Sequence, residues 1–221
     1  MQKLLTALTL VLLACGHSAR VVKQPTPTLK QLTQVERAVR VEKACVSGDP
    51  YSGPTRLQDL RIEAGGWGSG VIVGPDTVLT AWHVVKCPPR TSRFLLVSGP
   101  DNVKHWAELA AGDPDHDIAR LTVAGTPATR LKLAAAKDGD VVCAAVAHPI
   151  REWSCGVVID VGPVKTKTNG TVDIWHTART VPGNSGAGLY NGRGQLVGLQ
   201  TNGDATKTDG GLATSVFGRV P

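Results

Sequence analysis

The chain has 221 residues, 42% of them apolar, a formal net charge of +6, 25 glycines, 14 prolines and five cysteines. That length suits one domain, and the apolar share can bury a sizeable core, which excludes an intrinsically disordered chain. The basic residues are scattered, with no dense run and no interleaved aromatics, so the charge reads as solubility and excludes a dedicated nucleic-acid surface.

Residues 1–15 read as an export signal: Lys3 supplies the positive start, and Leu4 to Leu13 is apolar but short for a permanent membrane span. The run ends Leu12-Leu13-Ala14-Cys15-Gly16, which resembles a bacterial lipobox. That likeness implies lipidation of Cys15 and a membrane partner reached through the anchor, and Gly16 leaves such a lipoprotein free to reach the outer membrane. An ordinary cleaved signal is the alternative. Residues 16–37 read as a tether, extended through Gln24-Pro25-Thr26-Pro27-Thr28 and able to form a helical turn after Leu29. Residues 38–221 read as one folded domain, with nothing after its last strand.

Within that domain, short apolar runs bounded by Gly, Pro, Asn and Asp predict an all-β fold. Strands are expected at 39–46, 71–73, 77–81, 94–97, 106–111 and 118–123. A connection follows at 124–137, then strands at 141–146, 157–161, 172–175, 188–190, 196–201 and 211–214. Gly74-Pro75-Asp76 predicts one hairpin and Asn191-Gly192-Arg193-Gly194 another. Gly65-Gly66-Trp67-Gly68 reads as an unusually flexible lead-in to the second strand.

Three short segments carry chemistry. Val181-Pro182-Gly183-Asn184-Ser185-Gly186 sets a serine between glycines, where a nucleophile is presented with little bulk around it. Thr80-Ala81-Trp82-His83 ends an apolar strand on an imidazole, and His116-Asp117-Ile118-Ala119 opens another on a carboxylate. The order His, Asp, Ser along the chain is one of those in which a Ser-His-Asp triad occurs. Asp113 and Asp115 lie in a Gly-Asp-Pro-Asp loop and read as solvated turn residues. His116 reads as an exposed neighbour, His148 as a structural loop residue, and His105 and His176 have no partner motif.

These three segments resemble the T-A-x-H, D-I-A and G-x-S-G signatures of the trypsin-like (chymotrypsin-fold) serine proteases. The pattern lies nearest to bacterial HtrA-type and glutamyl-endopeptidase-type members, and covers roughly residues 38–218. The resemblance implies two six-stranded antiparallel β-barrels with the active site at their interface. It implies a secreted or membrane-anchored endopeptidase in which His83, Asp117 and Ser185 are catalytic, working on a polypeptide through an acyl-enzyme. Gly183 and Ser185 would supply the N–H groups of an oxyanion hole.

By the same resemblance, Arg179, Thr180, Thr201 and Gly203 line the substrate pocket. There Arg179 could favour an acidic side chain, although pointing to solvent is an equal reading for it. Asn184 stands where zymogen-activated members carry Asp, so activation through a salt bridge to a new amino terminus is not expected. HtrA-type members usually continue into a PDZ domain, and from this sequence none is expected.

The cysteines fit export. With Cys15 lipidated, Cys45, Cys87, Cys143 and Cys155 remain, and four cysteines allow three connectivities that sequence cannot separate. The pairing favoured here is Cys143–Cys155, flanking a loop between neighbouring strands, with Cys45–Cys87 tying the first strand to the segment after His83. No metal-ligand spacing is present and no cofactor is implied. The rival from another class is a silent binding protein on a protease scaffold. All three triad residue types are retained, which argues for the enzyme.

Overall fold

The computed structural model describes residues 25–47, 61–126, 129–147, 152–165, 171–203 and 210–219. The export signal, Cys15 and His148 lie outside them. Twelve strands run through the described residues. The first six are β1 (Ala38–Ser47), β2 (Arg61–Gly74), β3 (Thr77–Ala81), β4 (Ser92–Ser98), β5 (Lys104–Asp113) and β6 (Ile118–Thr122). They close into an antiparallel barrel in the order β1-β2-β3-β6-β5-β4. The second six are β7 (Val141–Val146), β8 (Glu152–Lys165), β9 (Thr171–His176), β10 (Gly188–Asn191), β11 (Leu196–Gly203) and β12 (Gly211–Ser215). They close in the order β10-β11-β12-β9-β8-β7. Closure leaves neither sheet an open edge, which short strands of this kind would otherwise expose to aggregation.

Each barrel has its own core. Val39, Val41, Val78, Leu95, Val97 and Leu121 fill the first. Val142, Val146, Val158, Ile174, Leu189 and Val197 fill the second. A third cluster joins them: Ala38, Val71, Leu79 and Ile118 of the first barrel meet Ala145, Tyr190, Leu196 and Leu199 of the second. The strands that carry the three chemical segments are therefore held together by an apolar seam, a driving force of roughly 25 cal/mol per Å² removed from water.

The glycine run 65–68 corrects one expectation. It is paired strand, with Gly65, Gly66, Trp67 and Gly68 opposite Ala44, Lys43, Glu42 and Val41. At Gly68 the reason for glycine is close approach: a Cβ there would lie 2.7 Å from Val84 and 2.8 Å from the carbonyl oxygen of Ser185. Bare backbone there lets β2 lie directly under the serine loop.

Two disulfides are formed, Cys45–Cys87 and Cys143–Cys155. The second joins directly opposed residues of β7 and β8. The first fastens β1 to the segment following a short helix, α2 (Trp82–Val85), which carries His83.

Ahead of β1, a four-residue helix, α1 (Leu29–Leu32), is closed by a capping box between Thr28 and Gln31. It is docked on the second barrel. Gln31 is buried and its Nε2 donates to the Tyr190 carbonyl at 3.1 Å, while the Thr28 hydroxyl donates to the Gly192 carbonyl.

Candidate active site

His83 sits in α2, where β3 ends, and its side chain is 22% exposed. Asp117 precedes β6, which pairs with β3 so that Ala81 faces Ile118. That pairing sets the carboxylate beside the helix. Asp117 is 1% exposed, and its Oδ2 lies 2.7 Å from His83 Nδ1. Its Oδ1 accepts the His83 backbone N–H at 2.8 Å, and its carbonyl accepts the Trp82 N–H at 3.0 Å. The carboxylate thus grips both main chain and ring, which fixes the imidazole's orientation and the proton on Nδ1. Asp117 has φ 56°, a left-handed conformation that Asp and Asn tolerate better than most residues. Lys43 supports the arrangement from β1, donating to the carbonyls of His83 at 3.2 Å and Lys86 at 2.8 Å. Burial, and then the nearby charge of Lys86, push the Lys43 pKa down.

The serine loop is fixed from three sides. The Asn184 N–H donates to the Val181 carbonyl, the Ala187 N–H to the Asn184 carbonyl, and the Gly186 N–H to the Gln200 carbonyl of β11. The Ser185 carbonyl accepts the Ser69 N–H of β2 at 2.7 Å. Gly186 has φ +86°, and a Cβ there would meet the Ser69 oxygen at 2.0 Å and the Thr80 hydroxyl at 2.4 Å. Gly183 has φ +99° and lies under the Trp67 ring. Neither its N–H nor that of Ser185 donates to a protein acceptor among the described residues. Two free donors on one turn are the chemistry of an oxyanion site.

The Ser185 hydroxyl donates to the Thr201 carbonyl at 3.3 Å. It makes no hydrogen bond to His83, whose pair with Asp117 is already formed. The two segments are neighbours, since Val84, next to His83, and the Ser185 carbonyl both pack against Gly68. Hydrogen bonds of this kind are often loose until substrate binds.

The other expected residues fall as follows. Arg179 is exposed, Thr180 is half-buried, and Thr201 is fully buried in β11. Gly203 ends β11, opposite Gly211. Asn184 is 2% exposed. Asp113 binds His116, Oδ2 to Nδ1 at 2.7 Å, in a turn of its own. Among the described residues no cluster of three His, Cys, Asp or Glu side chains could hold a metal.

Three residues acquire a significance that the sequence reading did not give them. Ser69 is fully buried, and its hydroxyl donates to the Gly183 carbonyl at 2.8 Å. With its N–H on the Ser185 carbonyl, it holds the turn at both Gly183 and Ser185. Ser69→Ala is expected to lower kcat roughly tenfold or more while KM stays nearly constant, because the lost order matters only to the developing oxyanion. Steady-state kinetics on one peptide substrate check it.

The second residue is His176, at the end of β9. It is fully buried, and neither ring nitrogen has a hydrogen-bond partner of normal geometry. Burial pushes its pKa down from 6.5 to about 4, against a smaller opposing influence of the Ala178 backbone. Above pH 6.5 the ring is neutral folded or unfolded, and its contribution to stability is complete. As pH falls from 6.5 towards 4 the unfolded chain takes up a proton that the folded one refuses. At about 1.36 kcal/mol per pH unit, that interval removes about 3 kcal/mol. Urea unfolding of the Ser185→Ala protein between pH 7 and pH 4 measures it, free of self-digestion. The third residue, Gln200, is fully buried, and its Nε2 donates to the Thr180 hydroxyl at 2.9 Å.

Known proteins resemble this chain in sequence and in fold. A "Probable periplasmic serine endoprotease DegP-like" from Pseudomonas fluorescens is 31% identical over 150 residues, 65% of this chain and 30% of that relative. The chain thus spans about a third of the length of that curated relative. The crystal structure of the Rv3671c protease from M. tuberculosis in its active form superposes with TM-score 0.67 at 20% identity, covering 88% of this chain and 84% of that one. A serine endoprotease from Yersinia pestis gives 0.62 at 21% identity, covering 87% and 64%. These likenesses carry the two-barrel fold. The model of the trypsin-like peptidase domain matches residues 68–199, which run from the glycine beneath the serine loop to the strand beside the cleft. With more than half of the sequence inside that match, the chain belongs to the trypsin-like peptidase family.

Proposed function

We propose that the protein is an exported serine endopeptidase that cleaves polypeptides through Ser185, His83 and Asp117. The observation that carries this reading is the buried carboxylate bound at 2.7 Å to His83 Nδ1, beside a serine loop with two unpartnered N–H groups. In the reaction the Ser185 hydroxyl leaves the Thr201 carbonyl and turns to His83 Nε2. It attacks the substrate carbonyl carbon as the imidazole takes its proton, and the new negative charge on oxygen falls to the N–H groups of Gly183 and Ser185. His83 then gives the proton to the leaving amine, which departs and leaves an acyl-serine. Water, deprotonated by the same imidazole, releases the acid and restores the serine. Asp117 holds the ring throughout and stabilises the imidazolium.

Labelling by a fluorophosphonate probe, followed by casein hydrolysis, tests the proposal. Labelling that disappears in Ser185→Ala and in His83→Ala supports it, and an unlabelled wild-type chain defeats it. The second reading, a silent binding protein on this scaffold, is favoured by the Ser185 hydroxyl facing the Thr201 carbonyl. The same experiment separates the two.

Export is supported by the two disulfides, which persist in oxidising compartments, and by the periplasmic relative. Attachment to a bacterial envelope membrane through Cys15 is the accompanying proposal. A clickable fatty acid tests it: incorporation lost in Cys15→Ala supports the anchor, and no incorporation removes it.

A further inference from the structure

Behind the serine loop lies a group of buried polar atoms that the mechanism does not use. His176 ends β9 directly opposite Gly211 of β12. A Cβ on Gly211 would meet the Thr180 hydroxyl at 2.1 Å and His176 Cε1 and Nε2 at 2.7 and 3.1 Å. The hydroxyl and one edge of the imidazole therefore converge on the same bare stretch of backbone. Gln200 of β11 reaches the same hydroxyl through its Nε2. Thr180 lies five residues before Ser185, and the carbonyl of Thr201, next after Gln200, already accepts the Ser185 hydroxyl. The group thus lies between the two segments that flank the nucleophile.

Its hydrogen-bonding capacity is not exhausted. The Thr180 hydroxyl accepts from Gln200 and donates to the Ala178 carbonyl. Gln200 Oε1 is buried and unpartnered among the described residues, and neither nitrogen of His176 has a partner of normal geometry, although the Ala178 backbone acts on the ring. Such atoms are rare in native proteins, because a buried polar group left dry loses the hydrogen bonds it made to water. A neutral imidazole offers one donor and one acceptor, and the Gln200 oxygen offers a second acceptor.

We propose that His176, Thr180 and Gln200 form a hydrogen-bonding floor that selects glutamine or asparagine at P1, the residue whose carbonyl is attacked. This rests on the endopeptidase reading of the same site. A carboxamide brings a donor for Gln200 Oε1 and an acceptor for the imidazole N–H. It also fits if the Gln200 amide is turned over, because it carries both functions. A carboxylate has no donor for the Gln200 oxygen and would be buried against a ring kept neutral by its surroundings. A lysine or arginine would find no carboxylate in the floor, and the Arg179 guanidinium is next in sequence to Thr180. An apolar side chain would leave Gln200 Oε1 and the imidazole without a new partner, and sites built for a hydrogen bond reject such analogues strongly.

The test uses the full chain and three peptide substrates that differ only at P1: glutamine, glutamate and methionine, which are close in size. The glutamine peptide is expected to exceed each of the others at least tenfold in kcat/KM at pH 7.5. A methionine or glutamate peptide cleaved as well or better overturns the proposal. Thr180→Val then removes the hydroxyl with little change of shape, and the glutamine-to-methionine ratio is expected to fall at least fivefold. Both rates come from one enzyme, so a general loss of activity cancels, and an unchanged ratio overturns the floor. Fluorophosphonate labelling runs alongside. A chain that labels but prefers methionine or glutamate loses only the floor, whereas one that neither labels nor cleaves loses the endopeptidase reading and the floor with it.

Discussion

Ser185→Ala is expected to reduce kcat by roughly 10⁶-fold, with the protein still folded and still able to bind substrate. The hydroxyl makes one hydrogen bond, to the Thr201 carbonyl on a half-buried surface. Removing it therefore costs little stability. The loop is held by backbone bonds from Ser69, Gln200 and Val181, none of which involves the hydroxyl. What disappears is the hydroxyl that the proposed reaction uses as its nucleophile. Activity on casein and on a chromogenic ester, with circular dichroism as the folding control, gives the answer. Residual activity within a hundredfold of wild type would mean that Ser185 is not the nucleophile.

Asp117→Asn is expected to cost roughly 10⁴-fold in kcat at neutral pH, although the substitution is nearly isosteric. The amide oxygen can still accept the His83 backbone N–H, now taken by Oδ1. The amide nitrogen then faces His83 Nδ1, where Oδ2 stood at 2.7 Å. Donating there, it forces the ring's proton onto Nε2, and the edge turned to the serine loses its capacity to accept. Asparagine also tolerates the φ of 56°, so the variant tests the tautomer and not the backbone. Alanine would confound the two. A pH–rate profile reads the result: activity should recover partly at high pH, where hydroxide in solvent can take the serine proton. A kcat within tenfold of wild type would remove the carboxylate from the mechanism.

Both variants concern residues that were visible in the sequence, for a physical reason. A serine proposed as a nucleophile stands in a glycine-rich turn, and the imidazole and carboxylate proposed to serve it stand at strand ends. Gly183-Asn184-Ser185-Gly186, Ala81-Trp82-His83 and Asp117-Ile118-Ala119 are therefore local patterns. The strands were visible too, because Val78-Leu79-Thr80-Ala81 and Val142-Cys143-Ala144-Ala145 are apolar runs cut short by turn residues. Gly65-Gly66-Trp67-Gly68 misled because flexibility and close approach call for the same residue. Only the position of Val84 and Ser185 above Gly68 distinguishes them. Ser69 acts on Gly183 across 114 residues, and no periodicity carries a bond of that span. His176 showed no partner motif in the sequence, and its meeting with Gln200 and Thr180 arises only where β9, β11 and β12 lie side by side.

The docking of α1 has a mechanical consequence. Residues 28–31 are fastened to the turn of β10 and β11 before the chain enters β1, so the amino-terminal lead of one barrel is anchored to the other. The Lys30 carbonyl lies against Gly194 so closely that a Cβ there would sit 2.7 Å away. Arg37 then bonds the carbonyls of Ile72 and Thr129, gripping the linking segment that runs on to Leu133, which bridges to Leu196. Unravelling from the front end must therefore disturb both halves at once. Amide protons of β1 and β11 should exchange with deuterium through the same large opening, as they would in a single cooperative unit and not in two loosely joined lobes.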